Sequence, residues 1–428
     1  MKRVYLDHAA TTPLDSRVRL AMAPFFAEEF GNPGGLYQEG RRAKEAIIKA
    51  REKIGRLIGA KADEIIFTSG GTEADNLAIF GVVSYFAKAS KDRKLHVVST
   101  TFEHHAVLHP LKELEKEGAE VTYLDVGEEG IVNPEDVKKA LRPETVLVTI
   151  MYANNEIGTI QPIREIAKII QEFRAGQKTA YPYFHTDACQ AAGYLDMEVN
   201  LPAGGLGIDL MSVNGSKMYG PKGIGFLYKK MGIKLKPLIV GGGQEMRMRS
   251  GTENVAAIVG LARAFELAQE EREAESERLT KLRDYFISRI MREIPKTALN
   301  GHSEKRLPNN VNVSILDIEG EALVLYLDAK GVSFSTGSAC TSESLDPSHV
   351  ILALGKPYEF AQSSMRFTLG RGTTKEEIDY VMEHLPKTVE WFRRVSSIQV
   401  DMNAKSMSHP EAFAGEGLKV KAKSKSYK

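Results

Sequence analysis

The stretch that decides the fold is Asp209-Leu-Met-Ser-Val-Asn-Gly-Ser-Lys217-Met-Tyr-Gly-Pro-Lys-Gly-Ile-Gly-Phe-Leu-Tyr228. Its apolar start predicts a buried strand, residues 223–228 predict a second strand, and Lys217 lies in the glycine-rich turn between them. A lysine in a partly dry pocket has a lowered pKa, and its neutral amine can attack a carbonyl. A turn lysine that points to water is the simpler alternative, so the rest of the chain has to decide between the two.

Outward from this turn, short apolar segments alternate with segments of helical periodicity. The predicted strands are 65–68, 96–99, 121–124, 145–152 and 183–186. The predicted helices between them are 72–87, 106–117, 134–141 and 163–173. Such alternation is typical of an α/β fold whose mostly parallel sheet is covered by helices on both faces. In these sheets, ligands bind at the carboxyl ends of the strands.

The remainder of the chain predicts a second, smaller unit. A long charged helix at about 253–293 is expected to be a solvated connector, and the segments after it suggest an α+β domain. We therefore expect a large domain of residues 16–260 and a small domain built from residues 1–15 and 261–395. Residues 396–428 lose periodicity and are rich in lysine, which predicts a disordered basic tail.

The composition argues against several classes of protein. The 428 residues are 43% hydrophobic and 26% charged, as in an ordinary globular protein with a sizeable core. The formal net charge of +1 gives no reason to expect nucleic acid, and no apolar run approaches transmembrane length. The two cysteines, Cys189 and Cys340, lie far apart, which fits a reducing compartment. We expect a cytoplasmic protein that binds neither nucleic acid nor a membrane.

Polar clusters follow four of the predicted strands. They are Ser69-Gly-Gly-Thr72, Glu103-His104-His105, Asn154-Asn155-Glu156 and Asp187-Ala-Cys-Gln190. The first opens a helix whose free N–H groups and Thr72 hydroxyl could hold a phosphate, although the same residues also make an ordinary helix cap. Each cluster alone is more simply a loop or a cap. Four clusters at the ends of strands, together with Lys217, instead predict one binding site.

These residue types match the needs of pyridoxal 5'-phosphate (PLP). Lys217 would carry the aldehyde as a Schiff base, Asp187 would keep the pyridine nitrogen protonated, and the helix start would hold the phosphate. His104 could stack on the ring. A metal site at His104, His105 and His109 is the main alternative. It lacks cysteine or carboxylate ligands at a suitable spacing, so we predict no metal.

The motifs form an ordered series from Tyr5 to about Tyr380. They are Tyr5-Leu-Asp-His-Ala-Ala-Thr-Thr-Pro13, Gly31-Asn-Pro33, Thr68-Ser-Gly-Gly-Thr-Glu-Ala-Asp-Asn76, Glu103-His104, Asn154-Asn-Glu-Ile-Gly158, His185-Thr-Asp-Ala-Cys-Gln190, Gly215-Ser-Lys-Met-Tyr-Gly-Pro-Lys-Gly223, Arg249-Ser-Gly-Thr252, Ser335-Thr-Gly-Ser-Ala-Cys-Thr-Ser342 and Met365-Arg-Phe-Thr-Leu-Gly-Arg371. The series resembles the NifS/IscS-type cysteine desulfurases, which are fold-type I PLP enzymes of the class V aminotransferase group. The resemblance implies a large domain with a mostly parallel seven-stranded-type sheet and a smaller α+β domain.

The resemblance also implies how the cofactor is held. Lys217 corresponds to the Schiff-base lysine and proton shuttle, and His104 to the stacking histidine, which can also move protons. The other cofactor contacts that it implies are Gly71, Thr72, Asn155, Asp187, Gln190, Asn214, Ser216 and Thr252. The family takes the Thr252 contact from the neighbouring subunit, so a homodimer is implied. Asn214 and Ser216 stand where the family usually has Ser and His, but both can still hydrogen-bond a phosphate.

Substrate and reaction follow from the same resemblance. Asn155 and Arg366, with Asn32, correspond to groups that bind the substrate, and an arginine fork suits the carboxylate of L-cysteine. Cys340 corresponds to the nucleophile that takes the substrate sulfur as a persulfide and leaves L-alanine. Its segment, 333–348, is small and polar, which predicts a mobile arm that delivers sulfur to protein acceptors. Iron–sulfur cluster assembly or tRNA thiolation would use that sulfur.

Other functions stay open at this point. A selenocysteine lyase or another class V aminotransferase would use the same pocket, although a transaminase needs no Cys340. A non-catalytic assembly protein on an enzyme scaffold would not need Lys217, Asp187 and Arg366 to be intact. Cys189 is expected to be an inert packing group beside the cofactor, with sensitivity to oxidation as the alternative.

Overall fold

A seven-stranded sheet lies at the centre of the computed structural model, which describes residues 2–89, 94–337, 347–395 and 402. The strands along the chain are β1 (Val4–Tyr5), β2 (Ile65–Thr68), β3 (His96–Thr100), β4 (Glu120–Leu124), β5 (Thr145–Thr149), β6 (Tyr183–Asp187), β7 (Leu210–Asn214), β8 (Gly225–Lys229), β9 (Thr297–Leu299), β10 (Asn310–Ile315), β11 (Val332–Ser333), β12 (Ser335–Thr336) and β13 (Ser364–Thr368). The α-helices are α1 (Ser16–Met22), α2 (Pro24–Ala27), α3 (Gln38–Leu57), α4 (Gly71–Ala89), α5 (His105–Lys116), α6 (Pro134–Ala140), α7 (Ile163–Gln177), α8 (Val255–Glu293), α9 (Gly320–Asp328), α10 (His349–Ala353), α11 (Tyr358–Gln362) and α12 (Lys375–Val395).

The strand order in the central sheet is β2-β8-β7-β6-β5-β3-β4. The pairs β3–β4, β3–β5, β5–β6 and β6–β7 are parallel, whereas β8 runs antiparallel to both β2 and β7. The predicted α/β fold with a mostly parallel sheet is therefore confirmed. The carboxyl ends of β2, β3, β5, β6 and β7 all meet at one edge of this sheet. The turn that carries Lys217 leaves β7 at that edge.

Helices cover both faces of the sheet, as the apolar strands require. Successive side chains of a strand point to opposite faces. In β2, Ile65 and Phe67 pack in the same core cluster as Ile54 of α3, whereas Ile66 packs with Leu77 of α4 on the other face. The strands at the middle of the sheet are therefore buried on both faces, and the polar clusters of the predicted site follow directly after the strand ends.

The second sheet is antiparallel and has the order β12-β13-β10-β9, with α9 packed on β12 and on α12. The N-terminal β1 pairs in parallel with β11. Just after β1, Asp7 forms a bridge with Thr368, and the Thr368 N–H donates to the Leu6 carbonyl at 2.7 Å. The first residues of the chain therefore run beside β13, the strand that carries Arg366.

Helix α8 differs from its expected role as a solvated connector. Its first half is buried, including Leu261 and Phe265, and it packs on α3 and α1. Its last third contributes Phe286 and Ile290 to the same core cluster beside β9 and β10. The expectation was wrong because the charged residues hide an apolar stripe, which touches both sheets. Neither α8 nor any other helix in the described ranges is long and apolar enough to cross a membrane.

Candidate active site

The turn that carries Lys217 is held mainly by its own neighbours. Asn214, the last residue of β7, accepts hydrogen bonds from the backbone N–H and the hydroxyl of Ser216, both at 3.1 Å. The Gly215 N–H donates across the turn to the Ile224 carbonyl at 3.0 Å. The two residues that depart from the family pattern, Asn214 and Ser216, therefore bind each other and shape the turn.

The N-terminal segment forms a second wall beside the lysine. The ammonium of Lys217, which is half-buried, donates to the carbonyl of Ala10. Thr12 fixes this segment to the turn, because its N–H and hydroxyl donate to the Ser216 carbonyl at 2.9 and 3.0 Å. The Thr12 hydroxyl also accepts from the Tyr219 N–H at 2.7 Å. Sequence reasoning quoted this N-terminal motif but assigned it no role.

Asp187 ends β6 at the neighbouring position of the same sheet edge. It is buried, and its Oδ1 accepts a hydrogen bond from the Cys189 N–H at 2.9 Å. Gln190 follows in the next loop and donates from its Nε2 to the Ala9 carbonyl at 3.0 Å. Asp187 thus lies at the same sheet edge as Lys217, and Gln190 binds the same N-terminal segment.

Three titratable side chains lie buried around Asp187. Burial, reinforced by the charge of Asp187, raises the pKa of Asp75 well above its ordinary value, and burial raises the pKa of Glu103 to about 8. His185 Nε2 lies 3.6 Å from Asp75 Oδ1, and burial lowers the pKa of this histidine to about 4. All three shifts favour the neutral form of the group, which reduces competition with Asp187 for a cationic ring nitrogen.

His104 connects these residues electrostatically. It is the N-cap of α5, and its Nδ1 accepts from the Ala106 N–H at 3.0 Å, so the neutral ring carries its proton on Nε2. Burial lowers the pKa of His104; the charge of Asp187 opposes that shift, and the charges of Lys217 and Arg366 add to it. The structure therefore brings these four predicted residues within electrostatic reach of one another.

The predicted phosphate site begins directly after β2. Gly71 and Thr72 are the first two residues of α4, where free backbone N–H groups favour an anion. A Cβ at Gly71 would lie 2.6 Å from Cys189 Sγ, so only glycine lets the helix start approach this loop. Burial raises the pKa of the Cys189 thiol well above its ordinary value, which favours the inert packing role.

Arg366 forms the substrate side of the predicted site. It is 3% exposed, and its guanidinium donates to Asp7 Oδ1 at 3.0 Å and to the Asn155 carbonyl at 3.1 Å. Arg366 Nε and Asn155 Oδ1 are buried and have no hydrogen-bond partner among the residues that the structure describes. Asp7 was missed by sequence reasoning, since nothing in its local pattern shows that it meets an arginine 359 residues away.

For three other predicted site residues, the structure shows no hydrogen bond to the residues described above within the ranges it describes. Asn32 lies in the turn at 31–35, and its Oδ1 accepts from the Gly34 N–H at 2.9 Å, so its role toward substrate stays a prediction. Thr252 is exposed and lines a cavity of about 230 Å³ together with Ser69. Cys340 lies outside the described residues.

The histidines at the site pack ring against ring. His105 stacks on His109 with ring centroids 4.8 Å apart and lies 4.7 Å from the ring of His349. Burial lowers the pKa of His105 to about 4. Within the described ranges, no group of three or more His, Cys, Asp or Glu side chains has the arrangement of a metal site. The rings instead form a wall beside His104.

The residues present fit PLP and an amino-acid substrate. An amine, a carboxylate, an imidazole and a helix start meet at one sheet edge, which is the donor and acceptor set that the cofactor needs. The unpartnered Arg366 Nε and Asn155 Oδ1 cost free energy unless a ligand satisfies them. Fold and site together define a fold-type I enzyme.

Comparison with known proteins agrees with this class. The family model described as "Aminotransferase class-V" matches residues 4–381, so the chain belongs to the class V aminotransferase family. Within it, the chain is similar to the cysteine desulfurases: it is 52% identical over 397 residues to "Cysteine desulfurase IscS" of Dictyoglomus turgidum, covering 92% of this chain and 97% of that protein.

Solved structures give the same result. A NifS-like protein superposes with a TM-score of 0.82 at 35% identity, covering 91% of this chain and 100% of that chain. The structure "SspA in complex with cysteine" superposes with a TM-score of 0.72 at 35% identity, covering 86% of this chain and 99% of that chain. Together they match the NifS/IscS resemblance that the motifs predicted.

Proposed function

We propose that this chain is a PLP-dependent cysteine desulfurase, which converts L-cysteine to L-alanine and holds the sulfur as a persulfide on Cys340. The observation that carries the proposal is that residues 7–10 bind both Lys217 and Arg366, while Asp187 ends the strand next to the one that leads to Lys217. The names of the relatives support the activity, and cysteine is the ligand that is named for the SspA structure. No comparable observation favours selenocysteine lyase or transaminase activity.

The cofactor would be held by residues from three strand ends. Lys217 would bind its aldehyde, Asp187 and Gln190 its ring, and the start of α4 at Gly71 and Thr72 its phosphate. Asn214 and Ser216 would supply further polar contacts on the phosphate side. When bound, PLP supplies an electron sink for the bonds at the substrate α-carbon.

Arg366 and Asn155 would hold the substrate carboxylate. The guanidinium already has two fixed contacts, so its unpartnered Nε is oriented for a carboxylate oxygen. The Asn155 amide can present either its oxygen or its N–H groups, since its two ends are interchangeable by rotation. Binding would thereby satisfy polar atoms that are otherwise buried without a partner.

The chain's own residues would perform the sulfur transfer. Lys217 would take the α-proton of the substrate and return a proton to the alanine product. The Cys340 thiolate would attack the substrate sulfur as the carbon–sulfur bond breaks, and the electron pair of that bond would stay with the carbon fragment. The overall balance is L-cysteine plus an enzyme thiol giving L-alanine plus an enzyme persulfide.

Further properties belong to the same proposal. We propose that the enzyme works as a homodimer to which Thr252 contributes across the interface, that it is cytoplasmic, and that protein acceptors receive its sulfur. Those acceptors would serve iron–sulfur cluster assembly or tRNA thiolation. The exposure of Thr252 in the single chain supports a contact with a second subunit.

The test uses purified protein loaded with PLP, L-cysteine and a thiol reductant. We expect alanine and sulfide in equal amounts from wild type. Cys340→Ser should keep the absorbance of the bound cofactor but lower sulfide release by at least about 100-fold, since no thiolate remains to take the sulfur. Cys189→Ser is the matched control and should keep most of the activity. Full sulfide release by the Cys340 variant would refute the assignment of the nucleophile.

A further inference from the structure

A buried loop carries both Asn155 and an unassigned carboxyl, Glu156. Asn154 Oδ1 accepts from the backbone N–H groups of Glu156 and Ile157 at 2.8 and 3.0 Å. The Glu156 carbonyl accepts from the side chains of Asn310 and Asn312 at 2.9 and 3.0 Å. The backbone at Glu156 is therefore fixed on both sides, and its side chain projects from a rigid support.

The Glu156 side chain meets two segments that are far from it in sequence. Ser348 donates from its hydroxyl to Glu156 Oε2 at 2.5 Å, and the same hydroxyl accepts from the Ile351 N–H at the start of α10. A Cβ at Gly337 would come within 2.5 Å of Glu156 Oε2 and within 2.9 Å of Ser348 Cβ. Gly337, Glu156 and Ser348 are therefore in close mutual contact.

Gly337 and Ser348 stand on either side of the segment that contains Cys340. Upstream, β12 pairs with β13, so that Ser335 lies opposite Arg366. Downstream, the His349 ring hydrogen-bonds the Glu103 carbonyl at 2.9 Å. Both flanks of the Cys340 segment are thus attached beside the residues that would bind substrate.

We propose that Glu156 is a positioning residue that ties both flanks of the Cys340 segment to the loop that carries Asn155. The proposal rests on the proposed function, because it gives the nucleophile and the substrate carboxylate a common support. An error of about 1 Å in such a placement can lower a rate by about 100-fold. Glu156 would act through the hydrogen bond to Ser348 and not through contact with substrate.

The proposed role of Glu156 needs its hydrogen bond to Ser348 and does not need a fixed negative charge. Burial raises the pKa of Glu156 to about 7, against the opposing effects of the Ser348 hydrogen bond and the Arg366 charge. Both the neutral and the charged form are therefore populated near pH 7, and a carboxyl oxygen can accept the Ser348 hydrogen bond in either form. A neutral amide of the same shape should accept the same hydrogen bond.

The test compares Glu156→Ala, Ser348→Ala and Glu156→Gln in the PLP-loaded, full-length enzyme. We expect Glu156→Ala and Ser348→Ala each to lower kcat by about 10-fold or more, with KM for L-cysteine within about 3-fold of wild type. The kcat of the double variant should be within about 3-fold of the kcat of either single variant, because both substitutions remove the same hydrogen bond. Glu156→Gln should stay within about 3-fold of wild type.

A second measurement follows Cys340 without any turnover. Iodoacetamide alkylation is read by peptide mass spectrometry, which separates Cys340 from the buried Cys189. Loss of the hydrogen bond between Ser348 and Glu156 should speed Cys340 alkylation by about 3-fold or more in the two alanine variants, but not in Glu156→Gln. Asn133→Ala, which removes the N-cap of α6 away from the site, controls for the helix cap that Ser348→Ala also loses.

Two results would overturn the proposal. One is a rise in KM as large as the fall in kcat, which would mean that Glu156 supports substrate binding only. The other is unchanged Cys340 alkylation in both alanine variants. If wild type releases no alanine from L-cysteine, the proposed function fails, yet the alkylation comparison still decides whether Glu156 anchors the segment.

Discussion

Lys217 and Arg366 both contribute to the candidate site, and they are supported in different ways. The Lys217 turn takes its shape from Asn214, Ser216 and the antiparallel strand β8, all within a few residues. Arg366 takes its place from Asp7 and Asn155, which are 359 and 211 residues away. The backbone of the Lys217 turn is therefore shaped mainly by local sequence, and the N-terminal segment binds its lysine and the Ser216 carbonyl, whereas Arg366 is placed by the packing of distant segments.

The two kinds of support predict different effects of substitutions at the two regions. A locally built turn keeps its backbone shape if more distant parts of the molecule shift, although the hydrogen bond from Lys217 to Ala10 would change. An arginine held by two remote partners responds to any movement between the N-terminal segment, the Asn155 loop and β13. We therefore expect substitutions near Lys217 to affect the chemical step, and substitutions near Arg366 to affect substrate binding.

The largest effect is expected from Lys217→Ala. Removing the amine should lower the turnover of L-cysteine by about 1,000-fold or more, because the variant lacks both the attachment and the proton shuttle. Absorbance spectroscopy of the PLP-loaded protein should show loss of the band of the covalently held cofactor. Lys222→Ala, an exposed lysine in the same turn, is the control and should keep both. An unchanged spectrum in Lys217→Ala would refute the cofactor assignment.

Arg366→Lys should have the next largest effect. An ammonium keeps the charge but loses the planar fork, so kcat/KM for L-cysteine should fall by about 10- to 100-fold, mainly through a higher KM. Steady-state kinetics measure both constants. A fall in kcat at constant KM would mean that Arg366 acts on the chemical step, and the contrast with Lys217 would then fail.

A smaller effect is expected from Asp7→Asn. Asparagine still accepts a hydrogen bond from Arg366 but removes the buried ion pair, so kcat/KM should fall by about 3- to 10-fold. Asp196→Asn is the matched control, because Asp196 pairs with Arg164 and Arg272 outside the site. Equal losses in the two variants would show that Asp7 supports general stability only.

The last prediction concerns stability and its pH dependence rather than turnover, at the buried Glu103. Its folded-state pKa of about 8 is above the ordinary value of 4.5, so the native state keeps a proton that the unfolded chain releases. Its stabilising contribution is complete below about pH 4.5 and is lost as pH rises toward 8, by about 1.4 kcal/mol per pKa unit of difference. Glu103→Gln should therefore gain stability relative to wild type as pH rises from 5 to 8.

Denaturant unfolding of both proteins at several pH values measures this difference. Glu113→Gln, an exposed glutamate of α5, provides the control and should show no pH-dependent gain of that size. If the difference between Glu103→Gln and wild type does not change with pH, then Glu103 is not held protonated in the native state.

Much of the architecture could be predicted from the sequence because it depends on short-range patterns. The alternation of apolar strands and helices predicted the central sheet, and the four helices predicted between its strands agree with α4 to α7 to within a few residues. Helix α8 was misjudged, since its charged residues dominate the composition while its apolar stripe depends on what packs against it. The roles of the site residues stay predictions until the variants above are measured.

The sequence by itself determined the strand–turn–strand around Lys217, the polar residues at the strand ends and the glycine that opens α4, because each is a pattern of neighbouring residues. Only the tertiary structure decided that Asp7 meets Arg366, that Glu156 meets Gly337 and Ser348, and that Glu103 and Cys189 are buried and neutral. Burial and pairing depend on segments about 200 to 360 residues apart, and no local pattern records which distant group will be the neighbour.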